Sequence, residues 1–309
     1  MLNIVFMGTP DFAVPCLARI LADGYTVKAV FTQPDRPRGR GKSLQPPPVK
    51  DFALRHEIPV HQPVKLRDGE ALSKLQQYAP DLIVVVAYGR ILPVDILDLP
   101  VLGCVNVHAS LLPHLRGAAP IQRAIINGDK VTGVTTMHMA AAMDEGDIIL
   151  QREAFIGEEE TSGELFARLS EMGAQLLSET IALMQSGGAP STPQDHSLAT
   201  YAPMIEKQMA AIDFTKSAKD ICNLIRGLNP SPLAFTRFSG GRLCVLKARP
   251  APGMSGKPGE VLDARRLITA CGDGAVELLE VKPEGKRAMQ NTEFANSGRV
   301  KSSEIFTSL

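Results

Sequence analysis

Residues 81–87 (D-L-I-V-V-V-A) constrain the fold more than any other stretch. They form an uninterrupted apolar run, as expected of a central parallel strand covered on both faces. Residues 2–7 and 26–32 supply two further strand-like runs, and helical segments are expected at 51–55 and 70–78. Strand, helix and strand repeated in this way predict a doubly wound parallel α/β sheet. A long helical pattern at 161–186 then stops at Gly187-Gly188. The first turn, Gly8-Thr9-Pro10-Asp11, lacks the G-x-G-x-x-G spacing, so no dinucleotide cofactor is expected.

The chemistry concentrates between Gly103 and Asp147. Residues 103–108 suit a short buried strand, whose period of two puts Asn106 and His108 on one face near its carboxyl end. Open α/β sheets carry their active sites at that end. Asp144, in a loop after the strand expected at 131–139, closes the same crevice. An amide, an imidazole and a carboxylate include no strong nucleophile. The set suits acyl transfer in which the attacking group belongs to the substrate: Asn holds a developing oxyanion, and His shares that work or moves a proton beside a carboxylate. A lone Asn-x-His also fits a satisfied structural pair at a strand end. Here it sits in N-x-H-x-S-L-L-P-x-x-R-G-x-x-P, with M-D-x-G-D about thirty residues further on.

That order resembles the signature of the 10-formyltetrahydrofolate-dependent formyltransferases, over roughly residues 1–187. The resemblance implies a Rossmann-like catalytic domain, 10-formyltetrahydrofolate as co-substrate and no metal. It implies that Asn106 and His108 stabilise the oxyanion while Asp144 orients His108. It also implies folate contacts from Ser110, Leu111, Leu112 and Pro113, and from Tyr88, Gly89, Ile91 and Leu92. Taken alone, residues 88–93 are simply a turn.

Residues 33–50 (Q-P-D-R-P-R-G-R-G-K-S-L-Q-P-P-P-V-K) carry Arg36, Arg38, Arg40, Lys42 and Lys50 against Asp35, with prolines and glycines that forbid a helix. A solvated loop is one account; a mobile arm tracking phosphates is the other. The insertion resembles that of the branch of the family that formylates charged initiator tRNA. Residues 187–203, rich in Gly, Pro, Ser and Thr, read as a linker leading to Lys207 and Ile212-Asp213-Phe214, a lysine-bearing segment similar to one in the same branch. Residues 226–234 (R-G-L-N-P-S-P-L-A) extend the resemblance, and short strand-like runs from 235 onward suggest a small barrel, OB-like by resemblance. The formal charge is +6 over 207–309 and −6 over 1–206. Compositional drift or a polyanion partner accounts for that asymmetry.

The expected organisation is therefore a catalytic domain at 1–187, a linker at 188–206 and a tRNA-binding domain at 207–309. The predicted tRNA contacts are Arg36, Arg38, Arg40, Lys42 and Lys207. Five scattered cysteines without C-x-x-C spacing fit a reduced, cytoplasmic protein with neither zinc site nor disulfide framework. No apolar run reaches the roughly 20 residues of a membrane span, and no basic segment of a signal peptide precedes the first strand. A monomer is expected. Two rivals are a family member that formylates a small amine, which leaves the basic loop and the second domain idle, and a catalytically silent RNA-binding protein, disfavoured by Asn106, His108 and Asp144.

Overall fold

The computed structural model describes residues 2–38, 43–239 and 241–307, with only the backbone of Arg38. Two compact units share the chain. Unit 1 comprises Met1–Gly117, Val131–Phe155 and Phe166–Tyr201; unit 2 comprises Ala118–Lys130, Ile156–Leu165 and Ala202–Leu309.

Unit 1 begins with β1 (Asn3–Gly8), α1 (Val14–Ala22) and β2 (Thr26–Phe31). Pro15 falls in the first turn of α1, where its missing N–H has no partner to lose. The basic segment is not wholly irregular: β3 (Arg36–Arg38) and β4 (Ser43–Gln45) pair as a short antiparallel ribbon. Arg40 and Lys42 lie outside the described residues. Next come α2 (Pro48–Arg55), β5 (Val60–His61), α3 (Glu70–Tyr78), β6 (Leu82–Val86), α4 (Val94–Leu97) and β7 (Cys104–His108). After α5 (Pro120–Asn127), which belongs to unit 2, β8 (Val131–His138) and β9 (Ile148–Phe155) form a hairpin, and α6 (Ser162–Gln185) follows.

The sheet runs β5-β2-β1-β6-β7-β8-β9. Its first five strands are parallel, as the apolar runs require, and β8 and β9 extend it antiparallel. All five residues of β6 are buried. Its Ile83 and Val85 join Val5, Met7, Ala29, Phe31 and Cys104 on one face, under Leu75 of α3 and Ile96 of α4. On the other face α6 crosses β7 closely: a Cβ on Gly173 would lie 3.0 Å from Val107 Cγ1. The sheet reverses its strand order between β1 and β6, beside the carboxyl ends where a ligand crevice is expected.

Residues 188–201, which read by composition as linker, fall within unit 1. Thr192 exchanges two backbone hydrogen bonds with Ile148, and Gln194 is only 5% exposed. The segment has few apolar side chains but fastens through polar groups, which composition does not report.

In unit 2, α7 (Ala218–Gly227) starts at Ser217, whose hydroxyl caps the Asp220 N–H. It packs on α5 so tightly that a Cβ on Gly227 would come within 2.6 Å of Ile126. Then follow β10 (Ala234–Phe238), β11 (Gly241–Pro250), β12 (Val261–Asp263), β13 (Ile268–Ala270), β14 (Ala275–Pro283), β15 (Met289–Gln290) and α8 (Asn291–Ala295). The antiparallel order is β10-β11-β14-β13-β12, with β15 on β14. One short tail ties both edges. Phe306 donates to Gly259 beside β12, and Thr307 exchanges two bonds with Arg237 of β10. Both edges are thereby blunted, and the sheet curls around a core that includes Ile221, Val245, Leu278, Phe294 and Phe306.

Candidate active site

Asn106 and His108 follow Cys104 on one face of β7, at 9% and 7% exposure. His108 Nε2 lies 3.0 Å from the carbonyl oxygen of Leu115. A carbonyl only accepts, so Nε2 carries the hydrogen and Nδ1 is left as the nitrogen that can exchange a proton. Nδ1 faces Asp144 Oδ2 at 3.7 Å, too far for a direct hydrogen bond. The same Oδ2 accepts from the Gly117 N–H at 2.8 Å. Asn106 has no hydrogen-bond partner for its side-chain amide among the described residues. An amide left free at a strand end is available to a ligand oxygen.

Backbone conformation at this site is unusual. Leu115 and Asp144 hold φ values of 58° and 56°, in the left-handed region that favours glycine. Gly146 permits a close approach that any side chain would block, since a Cβ there would lie 1.7 Å from the His138 carbonyl oxygen. Between the two loops sits Arg116, 1% exposed, with Gln194, Glu145 and His196 around its guanidinium. Gln194, Glu145 and His196 belong to none of the candidate site residues that the sequence offers. Arg116 stood in the motif without a role, and a buried arginine partner 78 positions away leaves no local signal.

The expected folate residues divide into two kinds. Residues 110–113 are fastened to the sheet. Ser110 Oγ donates to the His114 carbonyl, Thr135 Oγ1 donates to the Ser110 carbonyl, and Gln151 Nε2 donates to the Leu112 carbonyl. Leu111 packs over Gly133, where a Cβ would lie 2.6 Å from its methyl group. In the other segment Gly89 and Ile91 are exposed, whereas Tyr88 and Leu92 are turned into the core. The Tyr88 hydroxyl is buried without a partner, and burial pushes its pKa up to about 12. Its carbonyl already accepts from Thr9 and Gln33.

Of the expected tRNA contacts, Arg36 in unit 1 and Lys207 in unit 2 are exposed, without side-chain partners among the described residues. Lys50 is not a free cation: its Nζ lies 2.8 Å from both oxygens of Asp35. No group of three or more His, Cys, Asp or Glu side chains is placed to hold a metal ion among the described residues.

Comparison with known proteins agrees along the whole chain. Residues 2–181 match the formyl transferase family and residues 204–299 its C-terminal domain. The methionyl-tRNA formyltransferase of Moorella thermoacetica is 52% identical over 291 residues, covering 93% of this chain and 94% of that protein. That of Bacillus subtilis is 45% identical over 309 residues, covering 99% and 98%. Among solved structures, an N-formyltransferase from Helicobacter canadensis in complex with folinic acid and dTDP-3-aminofucose superposes with a TM-score of 0.66 at 20% identity, over 90% of this chain and 99% of that one. HypX from Aquifex aeolicus in complex with tetrahydrofolic acid gives 0.61 at 18% identity, over 95% of this chain, which spans about half of HypX's length (46%). At such identities the two structures report the fold alone. The chain belongs to the formyl transferase family, in the branch formed by the methionyl-tRNA formyltransferases.

Proposed function

We propose that this protein transfers a formyl group from 10-formyltetrahydrofolate to the α-amino group of methionyl initiator tRNA, with Asn106, His108 and Asp144 as catalytic residues. Family membership supports the reaction. The free Asn106 amide beside a histidine whose Nδ1 faces Asp144 supports the roles. The neutral amine adds to the formyl carbon, a new N–C bond forms, and the bond from carbon to the folate nitrogen breaks. Asn106 donates to the oxyanion of that addition, and a proton on His108 Nδ1 adds to its stabilisation. Asp144 faces Nδ1 at 3.7 Å and orients His108 as that contact tightens around bound substrate. A proton leaves the amine and one reaches the departing folate nitrogen, with His108 and Asp144 as the groups placed to move it.

Residues 110–113 wall the folate, and residues 88–92 offer it backbone and the exposed side chain of Ile91. Arg36, Arg38, Arg40, Lys42 and Lys207 contact tRNA phosphates. Residues 1–187 carry catalysis, 188–206 lead on from them with 188–201 fastened to unit 1, and 207–309 anchor the tRNA, consistent with their charge of +6. The protein is proposed to act as a monomer. Five free thiols support a reducing, cytoplasmic setting, and no helix is long and apolar enough to cross a membrane among the described residues.

The test is formylation of charged tRNA against free methionine. Asn106→Ala and His108→Ala should each lower kcat roughly a hundredfold or more, with folate binding nearly intact, because an oxyanion donor acts on the transition state. A near-normal kcat in either variant would remove the assignment.

A further inference from the structure

Arg116 and the segment around Gln194 take no part in the chemistry above, yet they hold both loops that carry it. A guanidinium in the interior is costly unless it is paired all round. Arg116 meets that condition. Its Nη2 and Nε donate to Gln194 Oε1 at 2.7 and 3.2 Å, its Nη2 to His196 Nδ1 at 3.2 Å, and its Nη1 lies 3.2 Å from Glu145 Oε1. Gln194 in turn donates through Nε2 to the carbonyls of Asp144 (2.9 Å) and Gly146 (2.7 Å). Every polar atom of that amide is therefore engaged.

The other side of the brace is backbone. Arg116 N–H donates to the Thr200 carbonyl, and Leu115 N–H to Thr200 Oγ1. Leu115 supplies the carbonyl that fixes His108; Gly117 supplies the N–H that holds Asp144. Three consecutive residues thus grip the histidine, the brace and the carboxylate. Left-handed backbone at Leu115 and Asp144 persists only where its surroundings over-determine it.

We infer that Arg116 and Gln194 are positioning residues for formyl transfer, which set the distance and facing of His108 Nδ1 and Asp144 Oδ2 and act on the rate through Asp144. This rests on the proposed roles of His108 and Asp144.

Gln194→Ala removes both bonds to the Asp144 loop. In the full chain it should lower kcat about tenfold or more, because displacing a catalytic group by about 1 Å can cost a hundredfold. KM for the formyl donor should stay within about twofold. In an Asp144→Asn background the same substitution should cost less than about twofold, since effects that run through one group do not add. A protein merely loosened by the substitution would lose the same factor in both backgrounds. That result, or an unchanged kcat in Gln194→Ala, would overturn the inference. Gln194→Glu guards against misfolding: it keeps an acceptor for Arg116 but turns lone pairs toward two carbonyls. It should be at least as slow as Gln194→Ala, and a normal kcat would again overturn the inference. Full activity in Asp144→Asn itself would instead remove the role of Asp144, and the inference with it.

Discussion

Arg116 and Arg36 stand in the same unit and are used in opposite ways. Arg116 is buried, surrounded by acceptors from three side chains, and sits between two loops that it holds together. Arg36 is exposed on a two-stranded ribbon, without a side-chain partner among the described residues. Burial makes the first charge a fixed structural part, because losing any partner leaves polar groups stranded. Exposure keeps the second charge available to a ligand and makes its value depend on salt. Chemistry that tolerates little misplacement is held by charges already satisfied inside the protein; contact with a polyanion is left to charges that are not.

The comparison breaks most clearly at Arg116. Arg116→Met keeps bulk but strands Gln194 Oε1 and removes the partner of Glu145. It should cost about 3 kcal/mol of stability by urea unfolding, the scale for a broken buried charge network. It should lower kcat as well. Arg36→Met should leave both unchanged and raise only KM for tRNA. Equal, small effects at both positions would show that burial at Arg116 carries no special weight.

How far this contrast was legible in the sequence depends on the range of each interaction. Asn106 and His108 share a strand, and their common face follows from a period of two. Asp144 was visible because its motif lies close by. The parallel core followed from apolar runs such as Leu82–Val86. The hairpin of β8 and β9 was only half visible, because β9 alternates weakly between buried and open positions. Gln194 was hidden for a stronger reason. Its burial depends on a guanidinium 78 residues away, and its neighbours Pro193, Asp195 and Ser197 have the composition of a loop. Tyr88 shows the converse. Its position in a turn after β6 gives no sign that the large ring is drawn into the apolar cluster beneath α3 and α4, a burial that leaves the expected folate contact to the backbone.

The exposed side of the contrast is tested by salt. If Arg36, Arg38, Arg40 and Lys42 meet phosphates, the logarithm of tRNA affinity should fall linearly with the logarithm of salt concentration. Replacing all four with Met should reduce that slope by about 3 to 4, and Arg36→Met alone by about 1. At saturating tRNA, kcat should be unchanged. A slope that survives the fourfold replacement would move the polyanion contact elsewhere, with Lys207 the next position to examine.

The smallest effect is expected at the base of the ribbon, where the two uses of charge meet. Lys50 Nζ bonds both oxygens of Asp35 and Gln62 Oε1, and Gln62 Nε2 donates to Asp35 Oδ1 and to the Gln33 carbonyl. This cluster joins the start of β3 to the start of α2, so it limits where Arg36 can point without itself touching a ligand. Its members are partly exposed, and exposed pairs contribute little. Lys50→Met should therefore raise KM for tRNA only about twofold, within the small range of a surface pair. Amide exchange at Arg36, Arg38 and 43–45 should become faster. The bonds from Lys50 and Gln62 hold the Asp35 carboxyl below its ordinary value of 3.8. A depressed carboxyl contributes fully above that ordinary value and loses its contribution as pH falls through the depressed one. After correction for intrinsic exchange, the two proteins should therefore differ by a constant factor between pH 7 and 5 and converge only in stronger acid. Equal protection of the ribbon at pH 7 would show that the Asp35–Lys50 pair does not restrain it.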